Sequence, residues 1–263
     1  MENKFSLNYA KKWIAGEELR DAFSVISREN ENGIFGMINY LDEHLKSYEF
    51  IENNYFEYQK IITKINNSGQ DIHISIKPSQ LGLEVSKELF LENMLNLRKK
   101  ADSTMIWIDM EKSSMIEDTI WVYGHLDTKN TGIALQANVD RSLKDIEDLL
   151  SIGSKIRIVK GSYAGKDIIS NKIIISENYR KMMHYLLENS SFFALATHDE
   201  VLINECIELN KNFKIDIEYQ FLYGVKFELK RKLAEGFNVR DYIPYGKKWA
   251  PYILRRMKEI KNK

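Results

Sequence analysis

Of the 263 residues only one is cysteine, Cys206, and only three are proline. A single thiol excludes an internal disulfide framework and a cysteine-rich zinc site, and it fits a reducing compartment. The five histidines show no metal-ligand spacing, so no metal site is expected. Scarce proline and the absence of any low-complexity tract leave no evident linker. Charge of neither sign is in excess, with Lys plus Arg and Asp plus Glu at 38 each. Bulk charge therefore gives no sign of nucleic acid or an anionic membrane as partner. No apolar run approaches the length of a membrane span, and Met1-Glu2-Asn3-Lys4-Phe5 has no signal core. A soluble cytoplasmic protein is the expectation. The dinucleotide fingerprint, a strand followed by Gly-x-Gly-x-x-Gly and a helix, is also missing.

What the sequence does have is a rhythm. Short runs of β-branched and aromatic residues recur between amphipathic stretches. The strand expectations are Gly33–Tyr40, Ile72–Lys77, Met105–Met110, Gly132–Ala137, Ile156–Lys160, Phe192–Thr197, Ile215–Gln220 and Val239–Ile243. Helical patterns cover parts of 5–30, Phe50–Asn66, Glu88–Ala101, Ser114–Tyr123, Leu143–Ile152, Glu177–Glu188, Val201–Asn210, Phe227–Leu233 and Lys248–Ile260. Eight strands alternating with helices match an α/β (β/α)8 TIM-type barrel, with a doubly wound open sheet as competitor. The expected organisation is one barrel domain over 1–263, with a helical segment over 1–32 and the barrel over 33–263.

The run Ile156-Arg157-Ile158-Val159-Lys160-Gly161-Ser162-Tyr163 carries two cations where a buried strand has little room for charge. It must meet carboxylates, a phosphate or an electron-rich cofactor. Alternation sends Arg157 and Lys160 to opposite sides of the strand. Polar residues also gather where other strands finish: Lys77, Asp109, Gln136, Thr197-His198, Gln220 and Tyr242. Strand ends of a barrel converge on one face, the face that holds active sites.

Each residue has an ordinary alternative. Lys77 or Lys160 reads as a surface lysine or, desolvated, as a Schiff-base nucleophile. Asp109 and Glu111 share a face if the strand continues, but two carboxylates are few for a hard cation. His198 is as readable as a structural histidine, and Arg255-Arg256 as a basic helix end.

Together these stretches resemble the proline dehydrogenase family. The resemblance rests on Ser75-Ile76-Lys77-Pro78-Ser79-Gln80-Leu81-Gly82-Leu83, Ile108-Asp109-Met110-Glu111, Leu135-Gln136-Ala137 and Arg157 to Tyr163. It continues through Ala196-Thr197-His198-Asp199, Glu218 to Gly224, Tyr242-Ile243-Pro244-Tyr245-Gly246 and Tyr252-Ile253-Leu254-Arg255-Arg256. Trp13-Ile14-Ala15-Gly16-Glu17 looks like the family's N-terminal segment.

The resemblance implies FAD-dependent oxidation of L-proline to Δ1-pyrroline-5-carboxylate, with a quinone as electron acceptor and transient membrane contact left open. It implies that Arg255, Arg256 and Lys77 hold the substrate carboxylate and that Tyr242 packs on the pyrrolidine ring. Asp109 would order the polar network, with Arg157 near the flavin N5. Met110, Gln136, Val159, Lys160, Gly161, Thr197, His198, Gln220 and Leu222 would line FAD. Asn138 stands where the family usually has an aromatic, Ala164-Gly165 replaces a bulkier pair, and Asp42 replaces a usual glycine. Two other functions remain open on the residues alone: a Schiff-base aldolase-type barrel using Lys160 or Lys77, and a degenerate barrel without turnover.

Overall fold

The computed structural model describes residues 6–42, 47–163, 165 and 167–261. Eight parallel strands close on themselves in chain order. They are β1 (Ile34–Tyr40), β2 (Ile72–Ile76), β3 (Ile106–Ile108), β4 (Thr131–Gln136), β5 (Lys155–Val159), β6 (Phe192–Ala196), β7 (Asp216–Leu222) and β8 (Asn238–Tyr245). Closure is made by β1 and β8, paired from Ile34 opposite Val239 to Tyr40 opposite Tyr245. This is a (β/α)8 barrel, as the alternation of patterns predicts. The open-sheet alternative fails because its two edges are here hydrogen-bonded to each other.

The helices are α1 (Leu7–Ala10), α2 (Leu19–Asn30), α3 (Tyr48–Ser68), α4 (Lys87–Ala101), α5 (Ile116–Tyr123), α6 (Ser142–Leu150), α7 (Lys172–Asn189), α8 (Glu200–Phe213), α9 (Phe227–Ala234) and α10 (Ala250–Lys261). Their starts follow local chemistry. The side chains of Ser47, Ser86, Asn171 and Asp199 accept backbone N–H groups at the first turns of α3, α4, α7 and α8. Glu18 and Asp21 close a reciprocal capping box on α2. Two expectations shift. The helical pattern before residue 30 is broken between Ala10 and Leu19, and the stretch from Ser113 to Met115 is a 3-10 turn leading into α5.

Period-two alternation sorts each strand into two worlds. Outward residues such as Ile72, Ile74, Ile106, Ile133, Ile156 and Ile158 join the main core beneath the helices. Each such burial is worth roughly 1.5–3 kcal/mol relative to exposure. Inward residues are far less apolar. Only a small cluster of Met37, Met105, Trp107 and Ala194, flanked by Phe192 and Tyr242, fills the middle of the barrel.

Below that cluster, Arg240 lies 1% exposed and donates to Glu218, to Asp71 and to the Gly36 carbonyl. His73 sits in the same layer, where burial and the neighbouring Arg240 keep its pKa well below the ordinary histidine value. Buried charges persist there because they are paired.

Candidate active site

The site is built on Asp109, one residue past the end of β3. Its carboxylate collects donors from three other strands or their ends. Ser75 Oγ on β2 donates to Oδ1 at 2.7 Å. Lys77 Nζ, just beyond β2, reaches Oδ2 at 3.0 Å. Tyr242 on β8 donates its hydroxyl to Oδ2 at 2.9 Å. Arg157 on β5 donates Nη2 to Oδ1. Residues up to 133 positions away from Asp109 in sequence thus meet at its carboxylate.

Burial alone works against an ionised Asp109, but Lys77, Arg157 and the Ser75 hydroxyl outweigh it and hold the pKa down at about 2. Burial also opposes the Lys77 ammonium, yet Tyr242 and Asp109 carry its pKa well above the ordinary lysine value. Burial, reinforced by the Asp109 charge, pushes the Tyr242 hydroxyl well above the ordinary tyrosine value. The three groups are therefore a carboxylate, an ammonium and a neutral phenol.

Arg157 is 3% exposed. Its guanidinium lies over the Trp107 ring, 5.2 Å from the centroid, with Nη1 near the Met37 sulfur at 3.4 Å. Lys160, three residues on, instead pairs with Asp199 at 2.7 Å and approaches Ser176 Oγ at 3.4 Å. The two cations of this segment serve opposite sides of it, as alternation requires.

Around this centre stand the other residues singled out in the sequence. Gln136 donates to the Glu111 carbonyl at 2.9 Å, and Gln220 donates to Glu218 at 2.6 Å. His198 Nε2 accepts the Leu222 N–H at 3.0 Å, which makes Nε2 the acceptor nitrogen of that ring. Thr197 Oγ1 accepts from the Asp199 N–H. Met110 is buried, whereas Val159 and Lys160 are half-buried. Gly161 lies so close to the Asn138 carboxamide that an added Cβ would sit 1.9 Å from its oxygen.

Buried atoms in this region with no hydrogen-bond partner among the described residues include Gln136 Oε1, Asn138 Oδ1, Gln220 Oε1 and Arg157 Nε. Such atoms are costly unless something meets them. Asp42 is buried and paired with Lys248 at 2.7 Å, while Ala164 lies outside the described residues.

On α10, Arg256 is 5% exposed and bonded to Glu259, and Arg255 is half-buried. Burial raises the pKa of Tyr252; Arg256, Lys77 and Arg255 oppose that rise while Glu259 adds to it. The same hydroxyl thus feels Lys77 from the barrel and both arginines from the helix.

Glu111 does not join Asp109 as a ligand pair. The strand stops at Ile108, so the alternation that would align them ends. The Glu111 carboxylate is taken up by Ser79 N at 2.8 Å, Ser79 Oγ at 2.9 Å and Tyr163 OH at 3.4 Å. Sequence reasoning missed Ser75 and Asp199 as partners. Ser75 had a signal, since it lies two residues before Lys77 on the same strand face.

The family model described as proline dehydrogenase matches residues 22–263. Among curated relatives, proline dehydrogenase 2 of Bacillus subtilis is 31% identical over 272 residues, covering 98% of this chain and 90% of the relative. Proline dehydrogenase of Deinococcus radiodurans is 30% identical over 275 residues, covering 96% and 86%. Among solved structures, proline utilization A from Bdellovibrio bacteriovorus, inactivated by N-propargylglycine, superposes with a TM-score of 0.88 at 22% identity. That match covers 96% of this chain and 32% of the much longer protein, and it bears on the fold alone. With a family match over nearly its whole length and relatives this similar end to end, the chain belongs to the proline dehydrogenase family.

Proposed function

We propose that the protein is an FAD-dependent proline dehydrogenase that oxidises L-proline to Δ1-pyrroline-5-carboxylate and passes the electrons to a quinone. The observation that carries this reading is the convergence of Lys77, Arg157 and Tyr242 on Asp109, beside the α10 arginines. A small amino acid presents one carboxylate and one ring. Arg255, Arg256 and Lys77 are three cations for the carboxylate, and guanidinium groups suit its two oxygens. Tyr242 offers a neutral aromatic face for the pyrrolidine ring. Asp109 fixes the Lys77 ammonium and the Tyr242 hydroxyl, so both are oriented before substrate arrives.

The residues present suit a flavin. A buried cation at Arg157, orphaned polar atoms on Gln136, Asn138 and Gln220, and the nearby Lys160 and His198 make an interior that asks for a large polar partner. FAD, when bound, supplies the two-electron acceptor for the hydride that leaves the carbon beside the proline nitrogen. Gln136, Arg157, Val159, Lys160, Gly161, Thr197, His198, Gln220 and Leu222 would hold it, with Met110 at its edge. Arg157 is the fixed cation suited to negative charge on the reduced isoalloxazine ring. The barrel wall and α10 would keep water from the reacting carbon.

Neither lysine favours the Schiff-base alternative. That chemistry needs a neutral amine, and Lys77 is an ammonium held by Asp109 while Lys160 is paired with Asp199. For localisation, the reading is a cytoplasmic protein that meets quinone at most by transient membrane contact. Among the described residues no helix is long and apolar enough to cross a membrane.

The test is the visible spectrum of the purified protein. Flavin absorption that bleaches anaerobically on adding L-proline, and returns with a soluble quinone, supports the reading; a colourless protein that cannot be reconstituted with FAD sinks it. Arg255→Met and Arg256→Met should each weaken proline binding by about 2–5 kcal/mol, the range for removing one member of a buried charge pair. Unchanged KM in both variants would contradict the carboxylate assignment.

A further inference from the structure

The motif Trp13-Ile14-Ala15-Gly16-Glu17 takes no part in the site described above, yet it holds the helix that carries Arg255 and Arg256. Ile14 is fully buried in a small cluster with Ala10, Leu41, Trp249, Tyr252 and Ile253, separate from the main core. Among the described residues, no α10 side chain belongs to the main core cluster. The segment runs along the end of β8, where Ala15 N donates to the Pro244 carbonyl at 2.8 Å and Gly246 N donates to the Gly16 carbonyl at 3.1 Å.

Trp249 is the joint. Its carbonyl accepts the Ile253 N–H at 3.1 Å, the first backbone bond of α10. Its indole N–H donates to Glu17 Oε1 at 3.0 Å. Trp249, Tyr252, Ile253 and Arg256 are spaced i, i+3, i+4, i+7 and share one helix face. A change at Trp249 is therefore transmitted along about two helical turns to the Arg256 guanidinium.

We propose that Glu17 is a positioning residue for the substrate carboxylate: by holding the Trp249 indole it sets the rotation of α10 and so the aim of Arg255 and Arg256. The proposal rests on the reading in which these arginines and Lys77 bind that carboxylate. The bond is charge-assisted and half-shielded, which makes it the directional side-chain element beside the apolar contacts of Ile14, Trp249 and Ile253. Two further ion pairs cross the same junction, Lys248 to Asp42 at 2.7 Å and Lys247 to Glu18 at 3.8 Å. The Lys247–Glu18 pair is exposed at both ends and fixes little, while Lys248 anchors on the buried Asp42 just past β1 rather than on the N-terminal segment.

The experiment is steady-state kinetics of the holoenzyme with L-proline. Glu17→Ala and Trp249→Phe should each raise KM roughly tenfold with kcat within about twofold, the size of one hydrogen bond to a charged group and the pattern of lost ground-state binding. The double variant should be no worse than either single, because both remove the same bond. Glu17→Gln keeps an oxygen acceptor and should restore KM to near the wild-type value.

Arg256→Met, measured in parallel, separates the two levels. If it raises KM while Glu17→Ala and Trp249→Phe leave KM unchanged, the positioning role is overturned and the carboxylate reading stands. If Arg255→Met and Arg256→Met both leave KM unchanged, the carboxylate reading falls and this proposal with it. A lowered melting temperature with unaltered KM would mark Glu17 as a structural residue only. Trp249→Phe removes the same donor while keeping an aromatic ring, and Glu17→Gln preserves side-chain size, so the comparison survives should Glu17→Ala fold poorly.

Discussion

Asp109 is the residue on which the rest of the site depends. Replacing it with Asn removes one negative charge from among two buried cations, Lys77 and Arg157. The expected loss of stability is about 3–5 kcal/mol, the usual cost of stranding a buried partner, read by urea unfolding at pH 7. The pH dependence has a definite sign. The folded-state pKa of about 2 lies below the ordinary 3.8, so Asp109 contributes stability above the ordinary value and loses it as pH falls towards about 2. The stability gap between wild type and Asp109→Asn should therefore narrow between about pH 4 and pH 2. A constant gap would mean that the carboxylate is not held by these cations.

At this scale the sequence is legible where alternation holds. Lys77, Asp109, Gln136, Gln220 and Tyr242 all stand out as polar residues at strand ends, and the structure brings them to one end of the barrel. What is not legible is pairing. Nothing in the sequence says that Asp199 belongs to Lys160, or that Glu218 and Arg240 neutralise each other inside the barrel.

At the scale of elements, strand and helix boundaries follow from hydrophobic period and caps, and most expected spans survive within a few residues. The N-terminal stretch is the exception. Its helical spacing is real, but residues 11–18 are drawn into the ends of β7 and β8 rather than continued as helix, because tertiary packing outbids local propensity.

Gly224, in the turn after β7, shows how tight that packing is. It has φ +74°, and an added Cβ would lie 1.7 Å from the Lys12 carbonyl oxygen. Gly153 has the same φ of +74° with nothing within 4 Å of an added Cβ. Gly153→Ala should therefore cost only the backbone strain, about 1–2 kcal/mol. Gly224→Ala should cost more, because the N-terminal segment must also move away. Thermal melts of the two variants side by side measure the difference, and equal losses would show that Lys12 is not held against the turn.

For the whole molecule, the consequence of seating α10 in an apolar cluster apart from the main core is uneven stability. The main core spans all eight strands and most helices, whereas α10 is secured by a few residues around Ile14, Trp249 and Ile253. Local opening free energy tracks buried apolar contact, so α10 with the N-terminal segment should open without the barrel. Native-state hydrogen exchange in rising urea should then show amides in 250–257 exchanging at lower denaturant than those of β2, β5 and β6.

The same inequality has a functional reading. On the proposed reading, in which the α10 arginines clamp the substrate carboxylate, the site can admit substrate by loosening α10 while the Asp109 network stays formed. L-Proline should accordingly slow exchange in 250–257 more than in the strands, since a ligand stabilises the closed form by its preference for it over the open one. Exchange from α10 and the strands in a single step, at one denaturant concentration and with equal protection by L-proline, would show one cooperative unit and remove α10 as the point of entry.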